Sequence, residues 1–248
     1  MSDPKAHFQA GGAGYAAFRP SYPPEIAEVL AERAPARRLA VDVGCGTGQL
    51  SVLLAESFER VLACDVSASQ LAAATPHPRI DYAEAPAEAL PASEGSADLI
   101  AAGQAAHWFD HPRFHAECRR VLAPGGLVAL VSYGVTIAPE PIRALFDTFH
   151  SRTIGPFWPP ERVHVETGYA DIPLPFEPVA APALKIERSW DVAALLGYVE
   201  TWSAVKAARK AGQGGAVEAF AEEVQSLWPA GGALPFAWPV TLKLGRVG

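Results

Sequence analysis

An α/β fold, a parallel sheet with helices on both faces, is what this sequence predicts. Three observations carry that expectation. Short apolar runs alternate with helical patterns through the first half of the chain. A glycine-rich turn, Gly44-Cys45-Gly46-Thr47-Gly48, joins a clear strand directly to a helix. The 248 residues are 50% hydrophobic and 19% charged, which supplies apolar area for one large domain core.

The elements follow in chain order. Pro23 and Pro24 introduce a helix over residues 25–34. Strands are expected at residues 39–43, 60–65, 79–83, 97–102 and 126–133, with a helix over 49–58 directly after the glycine turn. The second half is less regular. A helix starts within residues 139–147, and residues 155–182 are crowded with proline and aromatic side chains, Phe157, Trp158 and Tyr169 among them. Residues 183–190 read as a strand, Asp191 as the N-cap of a helix through Tyr198, and residues 204–210 and 216–227 as helices separated by Gly212 to Gly215. Alternation in residues 235–247 predicts a last strand. No internal repeat is visible. In a parallel sheet, ligands bind beyond the C-terminal strand ends, which is where Asp42, Asp65 and the Gln104 region fall.

The glycine spacing selects among ligands. It is G-x-G-x-G, whereas the dinucleotide fingerprint needs a third glycine where Gln49 stands. Asp42, two residues before the turn, would repel a pyrophosphate and attract a cation such as the sulfonium and ammonium of S-adenosylmethionine. Two unit charges about 4 Å apart interact by roughly 4 kcal/mol at an effective dielectric near 20, enough to decide between the two. Asp65 ends the next strand and is placed to accept ribose hydroxyls. Its other reading is a helix N-cap or a turn acid.

With these residues in view, the chain resembles the class I S-adenosylmethionine-dependent methyltransferases. Further motifs carry the likeness: Asp98 to Phe109 is similar to the fourth strand and its turn, and Phe114-x-x-Glu117-x-x-Arg120-Val121-Leu122-Ala123-Pro124-Gly125-Gly126 to the helix, turn and fifth-strand start. Ala87-Glu88-Ala89-Leu90-Pro91 is similar to the segment bordering the adenine, with Pro86 where many relatives have Asp. The resemblance implies a Rossmann-like seven-stranded, mostly parallel sheet. Residues 183–190 would be its sixth strand and 236–246 its antiparallel seventh.

A single domain spans 1–248, with an N-terminal lid and helix (1–38), a cofactor-binding core (39–138), closing strands (183–190, 235–248), and cap insertions (139–182, 191–234). The implied cofactor is S-adenosyl-L-methionine, with Gly44, Cys45, Gly46, Gln49, Val66, Ala87 and Glu88 in contact and Gly103 and Gln104 meeting its amino-acid end through backbone carbonyls.

Tyr15 and Arg19 are four apart and share a face on a helical turn. Arg19 suits the cofactor carboxylate and Tyr15 a hydrogen bond to it; the bland alternative is a surface arginine beside prolines. His107 follows the fourth strand and is the candidate base for a hydroxyl or amine acceptor, against a purely packing role. Trp108 offers the sulfonium an electron-rich face, or anchors the next helix. Tyr133, Trp190, Tyr198 and Thr201-Trp202-Ser203-Ala204 are pocket-wall candidates. The last phrase recurs in the subgroup that includes methyltransferases of small carboxylic acids such as trans-aconitate.

The remaining numbers narrow the function classes. The net charge is −7 and no basic stripe appears, so nucleic acid is not an expected partner. Arg33, Arg37 and Arg38 cluster but read as solvated surface. Cys45, Cys64 and Cys118 have no metal-ligand spacing and read as small buried residues; His111, His115, His150 and His164 show no metal spacing either. No signal pattern and no run near the roughly 20 residues of a membrane span is present, so a cytoplasmic protein is expected. The expected function is methyl transfer to a small-molecule acceptor. A non-catalytic cofactor-binding regulator and an NAD(P)-dependent oxidoreductase are the rivals.

Overall fold

A computed structural model describes residues 20–248. Its central sheet contains β1 (Leu39–Val43), β2 (Arg60–Asp65), β3 (Ile80–Glu84), β4 (Ala97–Gly103), β5 (Leu122–Tyr133), β6 (Glu177–Val179), β7 (Leu184–Trp190) and β8 (Leu234–Arg246). The strand order is β3-β2-β1-β4-β5-β8-β6, with β7 also on β8. β1 to β5 pair in parallel, with Val41 opposite Leu62 on one side and Ile100 on the other. β8 runs antiparallel to β5, Leu127 facing Arg246 and Tyr133 facing Val240.

The sheet is the Rossmann-like one expected, with one refinement. The sixth strand is broken in two: Glu177–Val179 pairs with the C-terminal part of β8 and Leu184–Trp190 with its N-terminal part. The short first piece carries Pro178, which lacks an N–H and is tolerated because this is a sheet edge.

Burial on both faces explains the near-continuous apolar central strands. Successive residues point to opposite sides. Ala40, Leu99, Ala101, Leu127 and Ala129 join one core with Leu30, Leu54 and Phe58, which come from α1 (Glu25–Arg33), α2 (Gln49–Ser57) and the end of α2. Val41, Val43, Ile100, Ala102, Val128 and Leu130 join a second core with Phe114 and Cys118 of α4 (His111–Val121); the short α3 (Ala68–Ala72) buries no residue. Each large side chain buried this way contributes about 1.5–3 kcal/mol. All three cysteines are buried and free.

Arg37 and Arg38 of the basic cluster are exposed, as the solvated reading expects, yet Arg38 and the half-buried Arg33 also make fixed contacts. Asp98 is fully buried and accepts from the Arg38 backbone N–H at 2.9 Å and from Arg38 Nη2 at 2.7 Å. Burial pushes this carboxyl up, but the Arg38 hydrogen bonds outweigh it and hold it below the ordinary range. Arg33 donates to the Ala180 carbonyl at 2.8 Å. Asp98→Asn is expected to lower the unfolding free energy by about 1.5–3 kcal/mol, the range for a hydrogen bond to a charged group. Urea denaturation at pH 7 checks it, and an unchanged midpoint would count against the pair.

The second half contributes α5 (Arg143–Thr148), α6 (Arg162–Glu166), α7 (Val192–Glu200), α8 (Ser203–Lys210) and α9 (Gly214–Leu227). Asp191 caps α7, accepting from Ala194 N–H at 2.8 Å. Two pocket-wall candidates pack on one core tryptophan. Trp190 lies 5.0 Å from Trp238 between ring centroids, and Tyr198 Oη accepts from Trp238 Nε1 at 3.2 Å. Among the described residues, no helix is long and apolar enough to cross a membrane.

Candidate functional site

The site begins at the turn between β1 and α2. Gly44, Gly46 and Gly48 all adopt positive φ, at 68°, 57° and 84°, which side chains disfavour. At Gly44 there is a second reason for glycine: an added Cβ would lie 2.5 Å from the Ala105 Cβ. The turn after β1 therefore packs against the turn after β4. Gly44 and Cys45 N–H both donate to the Cys64 carbonyl, at 2.8 and 3.0 Å. Asp65 completes the lacing: Oδ2 accepts from Gly46 N–H and Oδ1 from Ser67 N–H, each at 2.8 Å. Gln49 opens α2 with an exposed side chain, and Val66 follows Asp65 partly buried.

Two buried oxygens near this turn lack donors. Asp42 is 1% exposed; its Oδ2 accepts from Ser51 Oγ at 2.6 Å, but Oδ1 has no partner. Burial pushes the carboxyl up to about 7; the Ser51 bond opposes this and the Asp65 charge adds to it. Gln104 is one of two non-glycine residues at positive φ among the described residues, at 54°. Its Nε2 donates to the Tyr133 carbonyl at 3.0 Å, leaving Oε1 buried without a partner. β1 and β4 are neighbours, Asp42 lying opposite Ala101, so both oxygens sit at the C-terminal ends of adjacent strands. An unsatisfied buried acceptor costs about 1–3 kcal/mol. This region suits a ligand that brings donors, above all a cation. Gly103 lies alongside, where an added Cβ would sit 2.9 Å from the Tyr22 hydroxyl. Tyr15 and Arg19 lie outside the described residues.

The 87–92 segment is held from below. Ala87 is buried, and Glu88 Oε1 accepts from Asp110 N–H at 2.8 Å. Glu117 accepts from Leu90 N–H at 2.6 Å, while Arg120 donates to the Leu90 and Ala92 carbonyls at 3.0 and 2.8 Å. The Glu-x-x-Arg pair noted in the sequence thus fastens this loop to α4.

His107 and Trp108 sit on a 3₁₀ turn, Ala106–Trp108, with ring centroids 5.0 Å apart. His107 Nδ1 is 3.0 Å from the Tyr169 hydroxyl. Burial brings its pKa down to about 4, with smaller contributions from the charges of His164 and Arg162. The ring is therefore neutral at pH 7. Tyr169 is fully buried at φ 59° and was named in the sequence only as one aromatic among several. It lies 62 residues from His107, so no local spacing signals the pairing.

Comparison with known proteins places this geometry in context. Residues 41–130 match the family model described as a methyltransferase domain. A Dictyostelium discoideum protein named as a methyltransferase is 33% identical over 202 residues, covering 80% of this chain and 77% of its own length. A Mycobacterium tuberculosis protein, named an uncharacterized methyltransferase, is 37% identical over 130 residues, 52% of this chain and 53% of that one. A solved structure described as a type II methyltransferase from Anaeromyxobacter dehalogenans superposes with a TM-score of 0.88 at 44% identity, covering 92% of this chain and 98% of that chain.

Proposed function

This chain belongs to the class I S-adenosylmethionine-dependent methyltransferases, and on that premise we propose that it methylates a hydroxyl or carboxylate oxygen of a small-molecule acceptor. The observation that carries the cofactor assignment is the pair of donor-less buried oxygens, Asp42 Oδ1 and Gln104 Oε1, beside the positive-φ glycine turn. A cationic cofactor end supplies what both lack, so the residues present fit the group. Asp65 takes the ribose hydroxyls: each carboxylate oxygen has accepted one backbone N–H and keeps a further lone pair. Ala87 and Glu88 border the adenine, Trp108 faces the sulfonium, and Tyr15 and Arg19 bind the carboxylate end.

When bound, S-adenosylmethionine supplies a methyl group on an already activated sulfur leaving group. The chain's task is then alignment and exclusion of water, which contributes roughly 7–11 kcal/mol in favourable cases. Asp42, Asp65 and Gln104 would hold the cofactor with that methyl group offered to an acceptor oxygen in line with the sulfur. A carboxylate acceptor has no proton to lose. A hydroxyl acceptor gives its proton to His107, whose Nδ1 is engaged by Tyr169 and whose Nε2 remains for the acceptor.

Calorimetric titration with S-adenosylmethionine, with NADH in parallel, tests the cofactor, and release of S-adenosylhomocysteine reports turnover. Micromolar binding of the first alone is expected; binding of NADH alone would overturn the reading. His107→Ala is expected to leave cofactor affinity intact and to lower turnover of a hydroxyl acceptor by about 10²-fold, the lower range for general-base catalysis. At saturating cofactor, wild-type turnover should stay level as the pH falls from 7 to about 5, because the ring protonates only near pH 4. Equal turnover in the variant would leave His107 with a packing role.

A further inference from the structure

The segment after β5 lines an open cleft of about 480 Å³, whose walls include Val135 just beyond the strand end. That volume lies within the range of small-molecule sites. Two of its lining residues carry buried nitrogens without hydrogen-bond partners, His150 Nε2 and Arg162 Nε. His150 is 8% exposed, packed between Trp158 and Trp202 at 5.1 and 5.5 Å. The Arg162 guanidinium stacks 4.4 Å over the Trp158 ring. Stacking uses the flat faces of the group, while its N–H bonds lie in the plane and point outward. Glu166 also lines the cavity; its carboxylate stands 3.5 Å from Arg162 Nε, a loose ion pair, and its side chain is 38% exposed to water.

The unpartnered His150 Nε2 calls for a ligand that brings an oxygen atom, and Arg162, held by only a loose pair with the partly exposed Glu166, offers that oxygen a cationic partner. The cavity lies just past the end of β5: Val135 is two residues beyond Tyr133, whose carbonyl accepts from Gln104 Nε2, and the Arg162 charge contributes to lowering the basicity of both His150 and His107. We propose that this cavity is the acceptor pocket and that it selects small acceptors bearing an oxyanion. Arg162 holds the charge, His150 supplies a neutral ring N–H, and Trp158 packs on the apolar body. This rests on the methyl-transfer reading above.

The test titrates protein loaded with S-adenosylhomocysteine with benzoate, phenylacetate and phenyl phosphate, each against a neutral partner: benzamide, phenylacetamide and phenol. At least one oxyanion is expected to bind 10-fold or more tightly than its neutral partner. Arg162→Gln should remove that preference, Arg162→Lys should keep part of it, and His150→Gln should weaken oxyanion binding several-fold. S-adenosylhomocysteine affinity should stay unchanged in all three, which shows that each variant is folded. The carboxylate and phosphate arms separate the two oxyanion sources. Equal binding of anions and neutral partners, no binding by any probe, or a preference that survives in Arg162→Gln overturns the proposal. If S-adenosylhomocysteine itself fails to bind, the methyl-transfer reading falls. The same titration of unloaded protein then still decides whether the cavity prefers oxyanions.

Discussion

Asp65→Ala is expected to weaken S-adenosylmethionine binding by about 2–3 kcal/mol, roughly 30- to 150-fold, the scale of lost hydrogen bonds to a charged group. Two losses combine. The ribose hydroxyls lose their acceptor, and the Gly46 and Ser67 N–H groups lose theirs. The second loss loosens the glycine turn before any ligand arrives. Asp65→Asn separates them in part, because one amide oxygen still accepts while the other position now carries donors that face an N–H. The asparagine variant should therefore melt between wild type and Asp65→Ala, yet still lose most of the affinity. Calorimetry on both variants, with thermal melting of the cofactor-free protein, is the measurement. Unchanged affinity in a folded alanine variant would sink the ribose assignment.

The parts of the fold that were legible in the sequence share a physical property: they are governed by local pattern. β1 and β2 fall at residues 39–43 and 60–65 as expected, because both are apolar runs buried on two faces and ended by turn residues. The Asp191 cap is legible for the same reason, since its side chain reaches only three residues ahead. Glu177–Val179 was not, because three residues with a central proline carry no period and pair only through β8. The Arg38–Asp98 pair joins residues 60 apart, and nothing near Arg38 in sequence distinguishes it from a solvated arginine. The glycine turn and its two acids could be named as a candidate site from spacing alone. Tyr169, His150 and Arg162 could not, because the segment after β5 brings them to the end of the sheet by tertiary packing alone. Trp190 and Tyr198 show the ambiguity of aromatic residues: their character suits a pocket wall and a core equally, and both pack on Trp238.

S-adenosylmethionine affinity is expected to rise with pH up to about 7, by as much as tenfold per unit, and Asp42→Asn should erase that slope. The cause is the buried carboxyl, which burial pushes up to about 7 in the cofactor-free protein. A cation beside it favours the ionised form, so the bound state has the lower pKa and binding releases a proton below pH 7. The stability effect has the opposite sign. A folded-state pKa above the unfolded value of about 3.9 means that the folded chain holds the extra proton between those two values. The Asp42 contribution to stability is therefore present below about pH 4 and is lost as the pH rises through 7. Asp42→Asn should accordingly melt higher than wild type at pH 8 without cofactor, while binding cofactor no better than wild type does in acid. His107 and His150, both brought down to about 4 by burial, lose stability as pH falls from about 6.5 and so act against Asp42 in the wild-type curve. The difference between wild type and Asp42→Asn removes their contribution. The cofactor's own α-amino group, titrating near 7.7–8.0 in its ordinary range, is common to both proteins and cancels in the same way. Calorimetry at pH 5.5 to 7.5 on the two proteins decides it. Parallel affinity curves would mean that Asp42 serves only to hold Ser51 beneath the turn, and that the cofactor's charge is met elsewhere.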